Sequence, residues 1–129
     1  MANRYGEAAI IAARQGPWAN TNPKARWESA MEKLYPTSPA ARSKGCPRAA
    51  FLGLCEEGLV KGIPAGRYTA SKDNKEYVVR AVAWLTDKKH HSSRSELWQA
   101  ATNGAVKKEN GQMDVVLALW NNDLIVRKP

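Results

Sequence analysis

Cysteine and histidine are almost missing from this chain of 129 residues, which has two of each. Cys46 and Cys55 fall in one apolar stretch. If residues 47–57 are helical, about 13 Å separates the two Cα atoms, beyond the ~7 Å reach of a disulfide. His90 and His91 are neighbours in a polar segment, and no C-x2-C pair accompanies them. Zinc therefore has no ligand set here, and no metal is expected. "SKGCPR" is not a Walker loop, so nucleotide hydrolysis has no support and no cofactor is expected. Long apolar runs are missing as well. Nothing approaches the ~18 residues of a membrane span, so no membrane partner is expected. "MANRYGEAAIIAARQG" lacks the apolar core and cleavage site of a signal peptide. The expected compartment is the cytoplasm.

Acidic residues are scarce too: twelve Asp and Glu stand against twenty Lys and Arg, a formal net charge of +8. Most of the excess lies in residues 1–50, where eight cations face three acids. "SPAARSKGCPR" is its densest part, with Arg42, Lys44 and Arg48 and no acid. A basic surface favours anionic partners such as nucleic acid. It also serves solubility alone.

What is present is helical patterning along the whole length. A first, alanine-rich helix is expected over residues 3–15. Asn22 and Pro23 are an N-cap and a first helical residue, and Trp27, Met31 and Leu34 then mark one inward stripe that ends before Pro36. Ser38-Pro39 starts a short turn of helix, 39–43. In "CPRAAFLGLCEEGLVKGIPAG", Cys46 reads as N-cap and Pro47 as first helical residue. Phe51, Leu54 and Cys55 share a face, and Gly53 costs about 1 kcal/mol unless a neighbour packs closely on it. Gly58 fits a left-handed cap with Leu59 folding back, and "IPAG" reads as a turn. A fourth long pattern covers about 72–88, capped by Ser71 or Asp73. Ser93 with Glu96 forms a capping box for a fifth, ending at Asn103-Gly104, and a sixth covers about 111–122. Trp27, Trp84, Trp98 and Trp120 read as core, whereas Trp18 belongs to a linker. The fold class expected is all-α, one domain over residues 1–129, a single compact bundle of about six helices with little or no β-structure. "FLGLCEEGLV" (51–60) is echoed by "VLALWNNDLI" (116–125); either a duplicated helical unit or two helices stopped by the same cap produces such an echo.

Three sites come into question. The first is the entrance of the helix after Gly45. Arg42, Lys44 and Arg48 flank amides, those of Arg48 and Ala49, that Pro47 leaves open, and together with Gly45 these form an anion cradle. The second is Cys46 as a nucleophile, since a helix N-terminus and nearby cations favour the thiolate. That chemistry needs a base, for which His90 and His91 are the candidates. The third is nucleic-acid contact near the last helix, with Asn110 and Gln112 at bases and Lys107, Lys108, Arg127 and Lys128 at phosphates. Residues 39–57 have helix-turn-helix proportions, but after Arg48 the second helix has no polar side chain until Glu56, so it reads as buried.

The run "GCPRAAFLGLCEEGLVKGIPAGRYTASKDNKEYVVRAVAWL" (45–85), with "ARWESAMEKLYP" upstream, resembles a family of small uncharacterised bacterial proteins, some apparently encoded by mobile, integron-type gene cassettes. The resemblance spans most of residues 22–125. It implies an all-helical cytoplasmic domain and brings no activity, cofactor or catalytic residue. The reading that follows places a non-enzymatic binding protein for nucleic acid or an acidic protein surface first. An enzyme using Cys46 and a homo-oligomeric interaction module are the alternatives.

Overall fold

Three helices of this chain start where a short polar side chain, Asn22, Ser38 or Ser93, takes up an open amide. The computed structural model describes residues 4–14, 22–88, 93–105 and 107–126. Among them are seven helical segments: α1 (Tyr5–Ala13), α2 (Pro23–Leu34), α3 (Pro39–Arg42), α4 (Gly45–Glu56), α5 (Lys72–Lys88), α6 (Arg94–Thr102) and α7 (Gln112–Asn121). α3 is a single turn. No strand is present among the described residues, only one isolated antiparallel bridge between Val60 and Ile125. The all-α expectation holds.

The local signals hold at most helix ends. Asn22 Oδ1 accepts from Lys24 N at 2.9 Å, and Pro23 takes the first helical position. Ser93 and Glu96 form the reciprocal capping box. α6 stops at Asn103 and Gly104, both with positive φ. α4 ends in a full Schellman motif: Gly58 has φ 70°, its N–H donates to Cys55 O, and Leu59 N donates to Leu54 O at 3.0 Å.

Two readings are corrected. α4 begins at Gly45, not Pro47, with Lys44 as its N-cap. A proline ring is tolerated throughout a helix's first turn because no intrahelical partner exists for those amides, so Pro47 did not mark the first residue. "IPAG" is not the turn either. The chain turns over Val60–Ile63, where Ile63 N donates to Val60 O and Gly62 has φ 85°, and Gly66 N–H goes instead to Glu56 O. Residues 15–21, which hold Trp18, and residues 89–92, which hold His90 and His91, lie outside the described residues.

The core is centred on α4. Eight of its residues, from Pro47 to Cys55 with Arg48 excepted, are buried. Phe51 stacks on Trp27 with ring centroids 5.5 Å apart. Trp27 and Trp98 are buried, while Trp84 and Trp120 are half-buried at the core's edge. α4 packs on α2, α5 and α7; α7 also meets α1, α5 and α6; α1 packs on α2, and α5 on α6. Gly53 has the close neighbour its position demanded: a Cβ there would lie 2.9 Å from Lys75 Cα on α5. Two guanidinium groups latch helix pairs by donating to backbone carbonyls: buried Arg26 to Ala12 O and Arg80 to Ala101 O. Among the described residues no helix is long and apolar enough to cross a membrane.

Candidate functional site

The entrance of α4 is exposed at Lys44 and Gly45. Lys44 gives no side-chain cap, and the first turn has no acid. A Cβ placed on Gly45 would meet nothing within 4 Å, so the space beside the tip is open. Helix geometry leaves the Gly45 and Cys46 amides without intrahelical acceptors, and the dipole makes this end attractive to anions. Ala49, as the fifth helical residue, has an amide that pairs with Gly45 O by the i to i−4 rule. It is also buried. It is therefore not part of the open tip, because the helix starts two residues earlier than its proline suggested.

The three flanking cations are differently placed. Lys44 is exposed and has no ion pair among the described residues. Arg48 Nη2 lies 3.8 Å from Glu28 Oε1, a loose contact with a carboxylate whose side chain is 66% exposed. Arg42 is engaged in holding the fold. Its Nη1 donates to Tyr35 O at 2.8 Å and Pro36 O at 3.0 Å, capping the C-terminal end of α2. A hollow of about 300 Å³ between α2 and α3 is lined by Glu28, Met31, Glu32, Pro39, Arg42 and Ser43. Two carboxylates in that lining make it a poor anion pocket.

Cys46 is the second residue of α4 and half-buried; Cys55 is buried, and burial pushes its thiol far above the ordinary range. Both are free. The bases expected to serve Cys46, His90 and His91, lie outside the described residues. Among the described residues no group of His, Cys, Asp and Glu could hold a metal ion.

The two amides expected at bases are differently placed, Asn110 exposed and Gln112 buried. Gln112 is 3% exposed. Its Oε1 accepts from Asn110 N at 2.7 Å and its Nε2 donates to Asn74 Oδ1 at 3.0 Å, tying α7 to α5. Both ends of that amide are engaged inside the fold, which corrects the expectation that Gln112 reads a base. Asn110 Nδ2 donates to Lys108 O. Lys107 holds its ammonium over the Tyr77 ring, 5.6 Å from the centroid, and its carbonyl accepts from Trp98 Nε1. Lys108 is exposed without an ion pair among the described residues. Arg127 and Lys128 lie outside the described residues.

Two carboxylates that sequence reading passed over organise this part of the molecule. Glu109 Oε2 accepts from Gly111 N at 2.7 Å and Met113 N at 3.0 Å, closing the N-terminus of α7 with the chain's own anion. Glu56, 13% exposed, accepts from Tyr68 N and Thr69 N through Oε1 and from Lys75 Nζ through Oε2 at 2.7 Å. The Lys75 bond, with the two amides behind it, holds its carboxyl down at about 2. One signal pointed to it: an acid in the last turn of a helix faces the dipole's negative end, and stands there only with a cation to hold it.

A family model, that of a family of unknown function (DUF6979), matches residues 2–126. No curated protein and no solved structure is matched.

Proposed function

Because the chain belongs to that family, which carries no activity with it, we propose from its own chemistry that it is a non-enzymatic protein binding an anionic partner through exposed cations, foremost nucleic-acid phosphate. One observation carries the reading. Eight of the twelve acids are paired: Glu7, Glu28, Glu56, Glu57, Glu76, Glu109, Asp114 and Asp123 each lie beside a cation. The surplus cations are not: Lys24, Lys33, Lys44, Arg67, Lys72 and Lys108 are exposed and have no ion pair among the described residues. An outward excess of positive charge attracts a polyanion by releasing its counterions. The open α4 entrance, with Lys44, Gly45 and Arg48, is the contact candidate. Gln112 is engaged internally, so binding is to the backbone and indifferent to sequence. An accessory role of this kind fits the resemblance to small bacterial proteins, some apparently encoded by mobile gene cassettes.

The test is a salt-titrated binding assay with labelled single-stranded and duplex DNA, and polyglutamate as a stand-in for an acidic protein surface. DNA binding whose logarithm falls linearly with log salt is expected, and Lys44→Ala with Arg48→Ala lowers that slope by about 2. Arg42 stays in place, since it caps α2. Preference for polyglutamate redirects the reading to a protein partner. An absence of salt-sensitive binding to either probe ends it.

A further inference from the structure

The echo between "FLGLCEEGLV" and "VLALWNNDLI" is a contact as well as a likeness. Asp123, at φ 58°, repeats the left-handed cap of Gly58. Leu124 N donates to Leu119 O at 2.9 Å, as Leu59 N does to Leu54 O at 3.0 Å. The two caps then pair with each other: Lys61 N donates to Leu124 O at 2.9 Å and Val126 N to Leu59 O at 2.8 Å, on either side of the Val60–Ile125 bridge. Each bond is the image of the other, which is what a local two-fold axis between α4 and α7 produces.

The same exchange carries the remaining helices. Replace α1 by α5, α2 by α6 and α4 by α7, and the reverse. The α1–α2 packing becomes α5–α6, α2–α4 becomes α6–α7, and α1–α7 becomes α5–α4, all of which occur. The order along the chain is kept. Side chains follow. With the N-caps Asn22 and Ser93 superposed, Trp27 falls on Trp98 and Ala30 on Ala101, all four buried. With Glu7 on Glu76, both exposed, Ala12 falls on Ala81 and Ala13 on Val82, all four buried. α3 has no counterpart, and the α5–α7 contact has no equally extensive α1–α4 image among the described residues.

We infer that the chain is a fused pair: one three-helix unit present twice, each copy supplying the surface that the other binds. The two crossings between copies carry a mark of this. A Cβ on Gly6 would lie 2.9 Å from Ala118 Cβ, and one on Gly53 would lie 2.9 Å from Lys75 Cα. Gly6 corresponds to Lys75 and Ala118 to Gly53. Each crossing therefore has one glycine, on opposite partners, and the close approach is shared while the residue providing it is not.

Exchangeability of these pairs is the test, read by urea unfolding of the full chain. Gly6→Lys alone is expected to lower the midpoint strongly or abolish the cooperative transition. Adding Ala118→Gly transplants the Lys75–Gly53 pair into the first crossing and is expected to recover more than half of the loss, with wild-type helicity; the contact left is with Asp114 O, at 3.0 Å from the added Cβ. Ala118→Gly alone serves as the reference for the cost of a glycine in α7. A double variant no more stable than Gly6→Lys overturns the equivalence of the crossings and with it the duplication.

Discussion

Replacing Glu56 by glutamine keeps an oxygen for the Tyr68 and Thr69 amides and removes the charge that faces Lys75. The wild-type carboxyl is lowered from an ordinary 4.5 to about 2, which corresponds to roughly 3 kcal/mol between its two protonation states. The Lys75 side chain is 29% exposed, and solvent screening reduces the net effect to ~2 kcal/mol. At pH 7 the Glu56→Gln variant should therefore unfold at about 1 M less urea, with unchanged slope. The pH dependence has a definite sign. A carboxyl depressed by folding stabilises the native state fully above its unfolded value and loses that contribution as pH falls through its folded value. The gap between wild type and variant should be constant above about pH 5 and shrink to about a quarter of its size near pH 2.5. All other carboxylates are common to both proteins and cancel in the difference. A gap of equal size at pH 7 and pH 2.5 would refute the reasoning, since it would show that the carboxylate's charge contributes nothing and only packing was lost.

Two further outcomes are expected. Gly53→Ala should destabilise by about 2 kcal/mol in spite of alanine's better helix propensity, because its Cβ would press on the α5 backbone; a raised melting temperature in calorimetry would contradict the close approach. In the native protein a thiol reagent should modify Cys46 readily and Cys55 only after unfolding; prompt reaction of both thiols without urea would count against the buried α4.

What could be read in the sequence was local. Asn22, Ser93 with Glu96, and Gly58 act on amides and carbonyls within a few residues of themselves, so their identity and spacing carried enough information. Gly53 was legible by its cost, which implied a neighbour without naming it. Gln112 misled because its partner Asn74 comes from another helix, and an amide looks the same whether it faces a base or a buried asparagine. Arg42 misled likewise: a cation in an acid-free run reads as a free charge, and only the fold brings the α2 carbonyls to it. Pro47 showed that a residue tolerated at several places in a first turn cannot fix where that turn begins. The caps repeated at Gly58 and Asp123 were visible, but their pairing was not, since nothing in either segment states which distant one it meets.

That pairing sets a constraint on how the molecule is assembled. Leu59–Lys61 is clasped by Leu124–Val126, and α1 finds its place against α7. On an elongating ribosome α1 would emerge before α7 is translated, and the buried strut α4 would wait for the same segment to form its clasp. The native pairing thus has to wait until α7 and the segment after it have been made, leaving the α7-facing side of α1 in need of shelter until then.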